Sequence, residues 1–221
     1  MCGRFVLSDA SWAGYHAALS IVQPIPTAIS FNIKPTQEIP IAYIQDDVSR
    51  ASVARWWFVP HWFRGDVKEW KQTTFNARIE TAHEKPTFRT AWRQNRCVIP
   101  ASGYYEWTGP KGNKTPHFIH LEQNAPVFFF AGLWSRLSDG AETCAIVTRA
   151  ADPQIADLHD RMPVILTAEE LERWLKFSDD DQQVIASYGT GWSGKYRTYP
   201  VRPFGIKEDG PDLIERDGFD L

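Results

Sequence analysis

Cysteine is scarce in this 221-residue chain: Cys2, Cys97 and Cys144 are odd in number, far apart and free of any Cys-x-x-Cys pair. That excludes a disulfide framework and a cysteine-based zinc site. Cys97 in "RCVIP" and Cys144 in "TCAIVT" sit in apolar, strand-like runs and read as small buried hydrophobes. The six histidines lack ligand spacing. In "HFIH", His117 and His120 stand three apart and so face opposite sides of a strand; no metal is expected. No glycine-rich loop that could cradle phosphates is present, and no cofactor is expected. No stretch approaches the ~18–20 apolar residues that cross a bilayer, and no basic segment followed by an apolar run opens the chain. The expectation is a soluble, cytoplasmic protein with no membrane partner. Positive charge is not in excess either. The net charge is −3 and the pI about 6.1, against a broad nonspecific nucleic-acid surface. The balance is uneven, because "EDGPDLIERDGFDL" (208–221) carries six acids against one arginine and leaves the body before it at +2. That segment is expected to be a loose, flexible tail.

Aromatic residues, by contrast, are plentiful. Hydrophobic residues make up 43% of the chain and aromatics 14%, with ten tryptophans. This suffices for an ordered core and leaves indoles over for a surface or pocket. Strand-like runs dominate: "CGRFVLS", "IPIAYIQ", "ASVARWWFV", "CVIPASGYYEWTG", "PHFIHLEQ", "APVFFFAGLWS", "ETCAIVTRAA" and "RTYPVRPFGIK". "PKGNKT" reads as a hairpin tip. Helices are expected at "DASWAGYHAALS", at "TAEELERWLKF" behind a Thr167-x-x-Glu170 box, and at "DDDQQVIASYG", while "DPQIADLHDRMPVIL" reads as a short helix, then a loop, then a strand. "NARIETAHEKPTFRTAWRQNR" reads as one helix interrupted at Pro86, with Thr81-x-x-Glu84 as a start box. Between them, "PHWFRGDVKEWKQTT" reads as a long irregular loop of the kind that often carries function. There is no βαβα rhythm, repeat or linker. The expected fold is α+β, a single domain over residues 1–207 with a largely antiparallel, barrel-like β core flanked by helices. Nothing indicates an obligate oligomer, so a monomer is expected.

The chemistry starts at "MCGRF". Aminopeptidase trimming of Met1 before so small a residue would leave Cys2 with a free α-amine and a thiol, whose reference pKa values are about 7.7–8.0 and about 8.5. Such a residue can attack an acyl group with its amine as base. It can also condense with an aldehyde, the amine forming a Schiff base that the thiol closes to a thiazolidine. Gly3, lacking a Cβ, permits close approach to a ligand. "TFNARIET" groups Asn76, a carbonyl or hydroxyl holder, with Arg78, a fork for phosphate or carboxylate; an ordinary helix start would use the same letters. In "GYYEWTG" alternation puts Tyr104 and Glu106 on one strand face and Tyr105 and Trp107 on the other. Crowded by apolar neighbours, Glu106 suits acid–base work near neutral pH; solvated on an edge, it would be an ordinary glutamate. "DLHDRMP" offers His159 as a proton shuttle and Arg161 as an anion clamp, or simply a hydrogen-bonded loop. "WWFVPHWF" is either a stacking surface for bases or core.

Taken in order, "MCGRF", "FNIKPTQ", "RWWFVPHW", "FNARIET", "GYYEW" and "LHDRMPVIL" resemble the SRAP family, the SOS-response-associated peptidase-like proteins that process abasic sites. The likeness runs from Cys2 to about Pro203. It implies an α+β domain around a barrel-like core and, as partner, single-stranded DNA whose abasic site exposes an aldehyde. By that resemblance Cys2 forms the covalent thiazolidine, Asn76 holds the sugar or linkage, Glu106 is the acid–base group and His159 assists ring opening. Gly3, Arg4, Arg78 and Arg161 would contact the DNA backbone, with Trp107 and Trp62 stacking on bases. The implied activity is crosslinking or lyase-like, with self-release by reversal or autoproteolysis. The chain departs from the family pattern at Trp57, which stands for a glycine, and at Phe63, which stands for a tryptophan in some members. Two other readings stand beside this one. "MCG" also opens class II glutamine amidotransferase domains, which are N-terminal-nucleophile amidohydrolases. A noncatalytic single-stranded DNA-binding module would need the aromatic and arginine residues alone.

Overall fold

The computed structural model describes residues 2–8, 19–21, 29–122, 127–176 and 182–218. Two sheets carry the architecture. In the first, β1 (Phe5–Leu7) lies between β2 (Ser30–Ile33) and β7 (Gly103–Thr108); β8 (Thr115–Leu121) and β13 (Tyr196–Pro200) continue it outward from β7. The second is built from β3 (Glu38–Gln45), β4 (Val48–Trp56), β6 (Arg96–Ala101), β9 (Phe128–Arg136) and β10 (Glu142–Ala150). These follow one another in the order β4-β3-β6-β9-β10, and β10 returns to β4, closing a five-stranded ring. Every pairing in the ring is antiparallel except β10 with β4. Short strands β5 (Asn76–Arg78), β11 (Arg161–Pro163) and β12 (Ile165–Leu166) pair with β10 or β9.

Strand β9 shows why its sequence is apolar from Phe128 to Trp134. Phe128, Phe130 and Trp134 enter the core that holds Cys2, Trp56 and Tyr104, while Phe129, Ala131 and Leu133 enter a second core under the helices. A strand buried on both faces favours apolar residues on both, as from Phe128 to Trp134. Gly132 is needed there, since a Cβ would come within 2.7 Å of Cys97 Sγ. The second core is covered by α1 (Ile79–Ala82), α2 (Arg89–Gln94), α3 (Ala168–Lys176) and α4 (Gln182–Ser187). Helix α3 begins as its box predicts: Glu170 N–H donates to Thr167 Oγ1 and Thr167 N–H to Glu170 Oε2. Its Trp174 is fully buried and its indole N–H donates to the Cys97 carbonyl at 2.8 Å. Cys97 and Cys144 are buried, and the "PKGNKT" tip joins β7 to β8.

Several local expectations fail. "NAR" is strand β5, not the head of a helix, and Thr81 lies inside α1 rather than capping it. Backbone pairing with β10 outweighs the weak helical preference of that segment. The helix expected at the start of "DPQIADLHDRMPVIL" is a run of turns, whereas its end forms strands as expected. The loop after Pro60 is ordered by a short 3₁₀ turn, Val67–Glu69, with a reciprocal Asp66/Glu69 cap, and by Trp70, which contacts Trp62 and Phe63 edge-on. The tail is not loose as far as residue 218. Leu213 is fully buried, Arg202 pairs with Glu208 and Asp212, and the Asn32 amide donates to the Glu208 carbonyl. Its acids neutralise Arg202 and bond main chain instead of repelling one another. The first expected helix falls largely on residues 9–18, outside the described residues, as do 219–221. Among the described residues no helix is long and apolar enough to cross a membrane.

Candidate active site at the amino-terminal cysteine

Cys2 is fully buried where the two sheets meet. Antiparallel pairing of β1 with β7 sets Phe5 opposite Tyr104, and the Arg4 carbonyl accepts the Tyr105 N–H at 3.0 Å. The Cys2 thiol donates to the same carbonyl, with Sγ 3.9 Å away. From the other sheet, Asn76 Nδ2 donates to the Cys2 carbonyl at 2.8 Å. Asn76 is held in place by β5–β10 pairing opposite Ile146, and by the Trp56 indole, which donates to the preceding Phe75 carbonyl at 2.8 Å. One residue of each sheet therefore fixes the cysteine.

The alternation expected in β7 is present. Tyr104 faces the Cys2 core, whereas Tyr105 and Trp107 pack in a separate cluster. Glu106 is only 4% exposed, and burial raises its pKa to about 7. Asp160 pushes in the same direction and Lys114 opposes it, so both charges lie near the carboxyl. Burial, reinforced by the Glu106 carboxylate, holds the Cys2 thiol well above the ordinary thiol range. Cysteine and glutamate are thus close enough to sense one another.

His159 sits between the turns after Asp152 and β11. Its Nδ1 accepts the Arg161 N–H at 2.9 Å and lies 2.8 Å from Asp160 Oδ1. The N–H favours a neutral ring with its proton on Nε2, whereas the carboxylate favours imidazolium. Burial tips the balance and lowers the ring's pKa. Lys114 and Asp160 act on both His159 and Glu106, which places the two residues in one electrostatic neighbourhood.

The arginines divide. Arg4 stacks over Trp107 at 5.2 Å and Phe204 at 5.3 Å and donates to Asn32 Oδ1, so it is pre-aimed beside a half-buried indole. Arg78 is exposed at the end of β5, two residues beyond Asn76. Arg161, expected as a phosphate clamp, is held by partners within the chain. Its fork is engaged bidentately by Glu80 at 2.7 and 2.9 Å and also donates to the Thr148 carbonyl, which fixes the strand behind His159. Trp62, 45% exposed, projects from its ordered loop, and Gly3 is partly exposed beside Cys2. Sequence reasoning missed Phe204 and Asn32 as the setting of Arg4, since nothing local announces contacts so distant. It could have paired Glu80 with Arg161, because both lie in quoted motifs and carry opposite charge.

Fold and site together define a single-domain α+β protein arranged around an amino-terminal cysteine. The chain belongs to the SOS response associated peptidase (SRAP) family, whose model matches residues 1–204. It is 35% identical to the abasic site processing protein YoqW of Bacillus subtilis (strain 168), over 97% of this chain and 99% of that one. It is 30% identical to the abasic site processing protein YedK of Escherichia coli (strain K12), with the same coverage. A crystal structure of a protein from Bacteroides thetaiotaomicron superposes with a TM-score of 0.81 at 27% identity, covering 97% of this chain and 99% of its own.

Proposed function

We propose that this protein captures abasic sites in single-stranded DNA covalently through Cys2, once Met1 has been removed. The observation that carries the reading is the convergence on Cys2 of Asn76 from one sheet and the near-neutral Glu106 from the other. The names of the relatives, abasic site processing proteins, support the substrate.

The chemistry runs in order. The sugar opens when the C1′ hydroxyl loses its proton and O4′ gains one, leaving an aldehyde; His159, neutral through burial, carries that proton. The Cys2 α-amine adds to C1′, and Glu106 protonates the departing hydroxyl, which leaves as water. The iminium nitrogen returns a proton to Glu106, the thiol sulfur then bonds C1′ across the C=N bond, and the thiol proton ends on the nitrogen. Nothing is oxidised or reduced. A thiol held protonated suits this order, in which the amine reacts first, better than thiolate attack on an amide. Asn76 holds Cys2 by its carbonyl throughout. A carboxyl titrating near 7 can serve as acid or base, so the same steps run backwards to release the DNA. Arg4 and Arg78 meet phosphates, Gly3 leaves room for the strand, and Trp107 and Trp62 offer faces for bases.

The test uses a single-stranded oligonucleotide with one abasic site. Wild type should yield a complex that survives boiling in SDS, and Cys2→Ala or a form retaining Met1 should not. Absence of the complex, with removal of Met1 verified by intact mass, overturns the reading. Full association by Cys2→Ala with no covalent product from wild type would instead make the protein a binding module.

A further inference from the structure

We propose that the Tyr104 hydroxyl is a substrate contact of this site, hydrogen-bonding the C4′ hydroxyl that appears when the abasic sugar opens. The inference rests on the functional reading above and names a residue which that reading does not use. Tyr104 is 1% exposed, and its hydroxyl has no hydrogen-bond partner among the described residues. A phenylalanine would fill the same space without burying an unsatisfied hydroxyl. A polar atom enclosed in this way calls for a partner that the described residues do not supply.

Its surroundings indicate which group. Tyr104 shares the Glu106 face of β7 and the core that encloses Cys2. On the other sheet, Asn76 spends its amide N–H on the Cys2 carbonyl, while its Oδ1 is buried with no partner among the described residues. A donor and an acceptor thus stand open on the two strands that bracket the cysteine. In an internal abasic nucleotide O3′ and O5′ are both esterified, so the hydroxyl released at C4′ on ring opening is the one free hydroxyl the linked sugar brings. It can accept from Tyr104 and donate to Asn76 Oδ1. Burial and the neighbouring Cys2 keep the phenol protonated, so it acts as a hydrogen-bonding group and not as a base.

The experiment compares wild type with Tyr104→Phe on two aldehydes: single-stranded DNA carrying an abasic site, and acetaldehyde, which has no hydroxyl. Crosslinks are followed on denaturing gels, and acetaldehyde adducts at Cys2 by intact mass. The variant should melt no lower than wild type and take up acetaldehyde at the wild-type rate. Its DNA linkage should form or persist roughly fivefold less well, the loss of one hydrogen bond between neutral groups. Equal DNA linkage by both proteins overturns the assignment while leaving the functional reading intact. An equal loss on acetaldehyde, or a clearly lower melting temperature, also overturns it, since the hydroxyl would then serve Cys2 or the fold. If wild type reacts with acetaldehyde but not with abasic DNA, the functional reading falls and the assignment falls with it.

Discussion

At the scale of single residues, Glu106 sets the strongest tension between stability and chemistry. Its pKa is about 7 in the folded protein, against 4.5 for the free group. Below pH 4.5 the carboxyl is neutral folded or unfolded and has no effect. Between 4.5 and 7 the unfolded chain releases this proton first, so stability falls as pH rises. Above 7 the loss levels off at about 3 kcal/mol. Glu106→Gln should therefore melt above wild type at pH 8 and level with it at pH 4. It should also crosslink about a hundredfold more slowly, the usual scale for removing an acid–base group, and lose any inflection near pH 7. Melts at the two pH values and a pH–rate profile check both halves. A variant that is destabilised at pH 8 would mean that the carboxylate is satisfied in the fold and that its raised pKa is not the organising feature.

At the scale of elements, β7 carries Tyr104 and Glu106 and lies between β1 and β8. Its entry is tight. A Cβ on Gly103 would meet the Phe118 ring at 2.3 Å, and Phe118 sits in the cluster behind the strand. Gly103→Ala must displace β7 or that ring, with an expected cost of 1–3 kcal/mol in unfolding experiments, roughly the scale of overpacked cores. Because the shift moves Glu106 relative to Cys2, crosslinking should slow even at temperatures where the variant is fully folded. Thr167→Ala provides the contrast. It removes the cap of α3, on the far core, and should cost about 1 kcal/mol while leaving crosslinking per folded molecule unchanged. A strand that delivers the site and a helix that covers the core are thereby told apart by the same two measurements.

At the scale of the whole molecule, the end of the chain clasps the first sheet on the side away from Cys2. Tyr105 Oη donates to the Phe31 and Leu213 carbonyls, Phe31 N–H donates to Asp209, and Val201 bridges to Arg216. Leu213, fully buried at the centre of this clasp, should cost about 2–4 kcal/mol when cut to alanine, with earlier proteolysis of the tail. Charge acts globally too. With a net charge of −3, a DNA grip must be local. If Arg4 and Arg78 are the phosphate contacts, the logarithm of affinity for single-stranded DNA should fall with the logarithm of salt concentration at a slope near −1.4, about −0.7 per contact. Arg78→Ala should halve it. A slope several times steeper would mean a wider basic surface than these two residues.

Much of the fold was written locally and could be read locally. Apolar alternation marked the strands, the split of Tyr104 and Glu106 from Tyr105 and Trp107 followed from a period of two, and the Thr167/Glu170 box opened its helix where expected. Asn76 and Glu106 were legible as candidates because their chemistry belongs to the side chain itself, and Cys2 because its thiol stands directly behind Met1. What the sequence left undecided depended on partners far along the chain. The β5 segment became a strand because β10 lay beside it, and the ring closed through the parallel β10–β4 contact. Arg161 was taken by Glu80 across 81 residues, and the acidic tail was ordered by Arg202, Asn32 and a socket for Leu213. Propensity and periodicity act over a few residues and are carried by every fragment of the chain. Burial, pairing and the neutralisation of charge depend on which surfaces meet, and only the folded molecule brings those surfaces together.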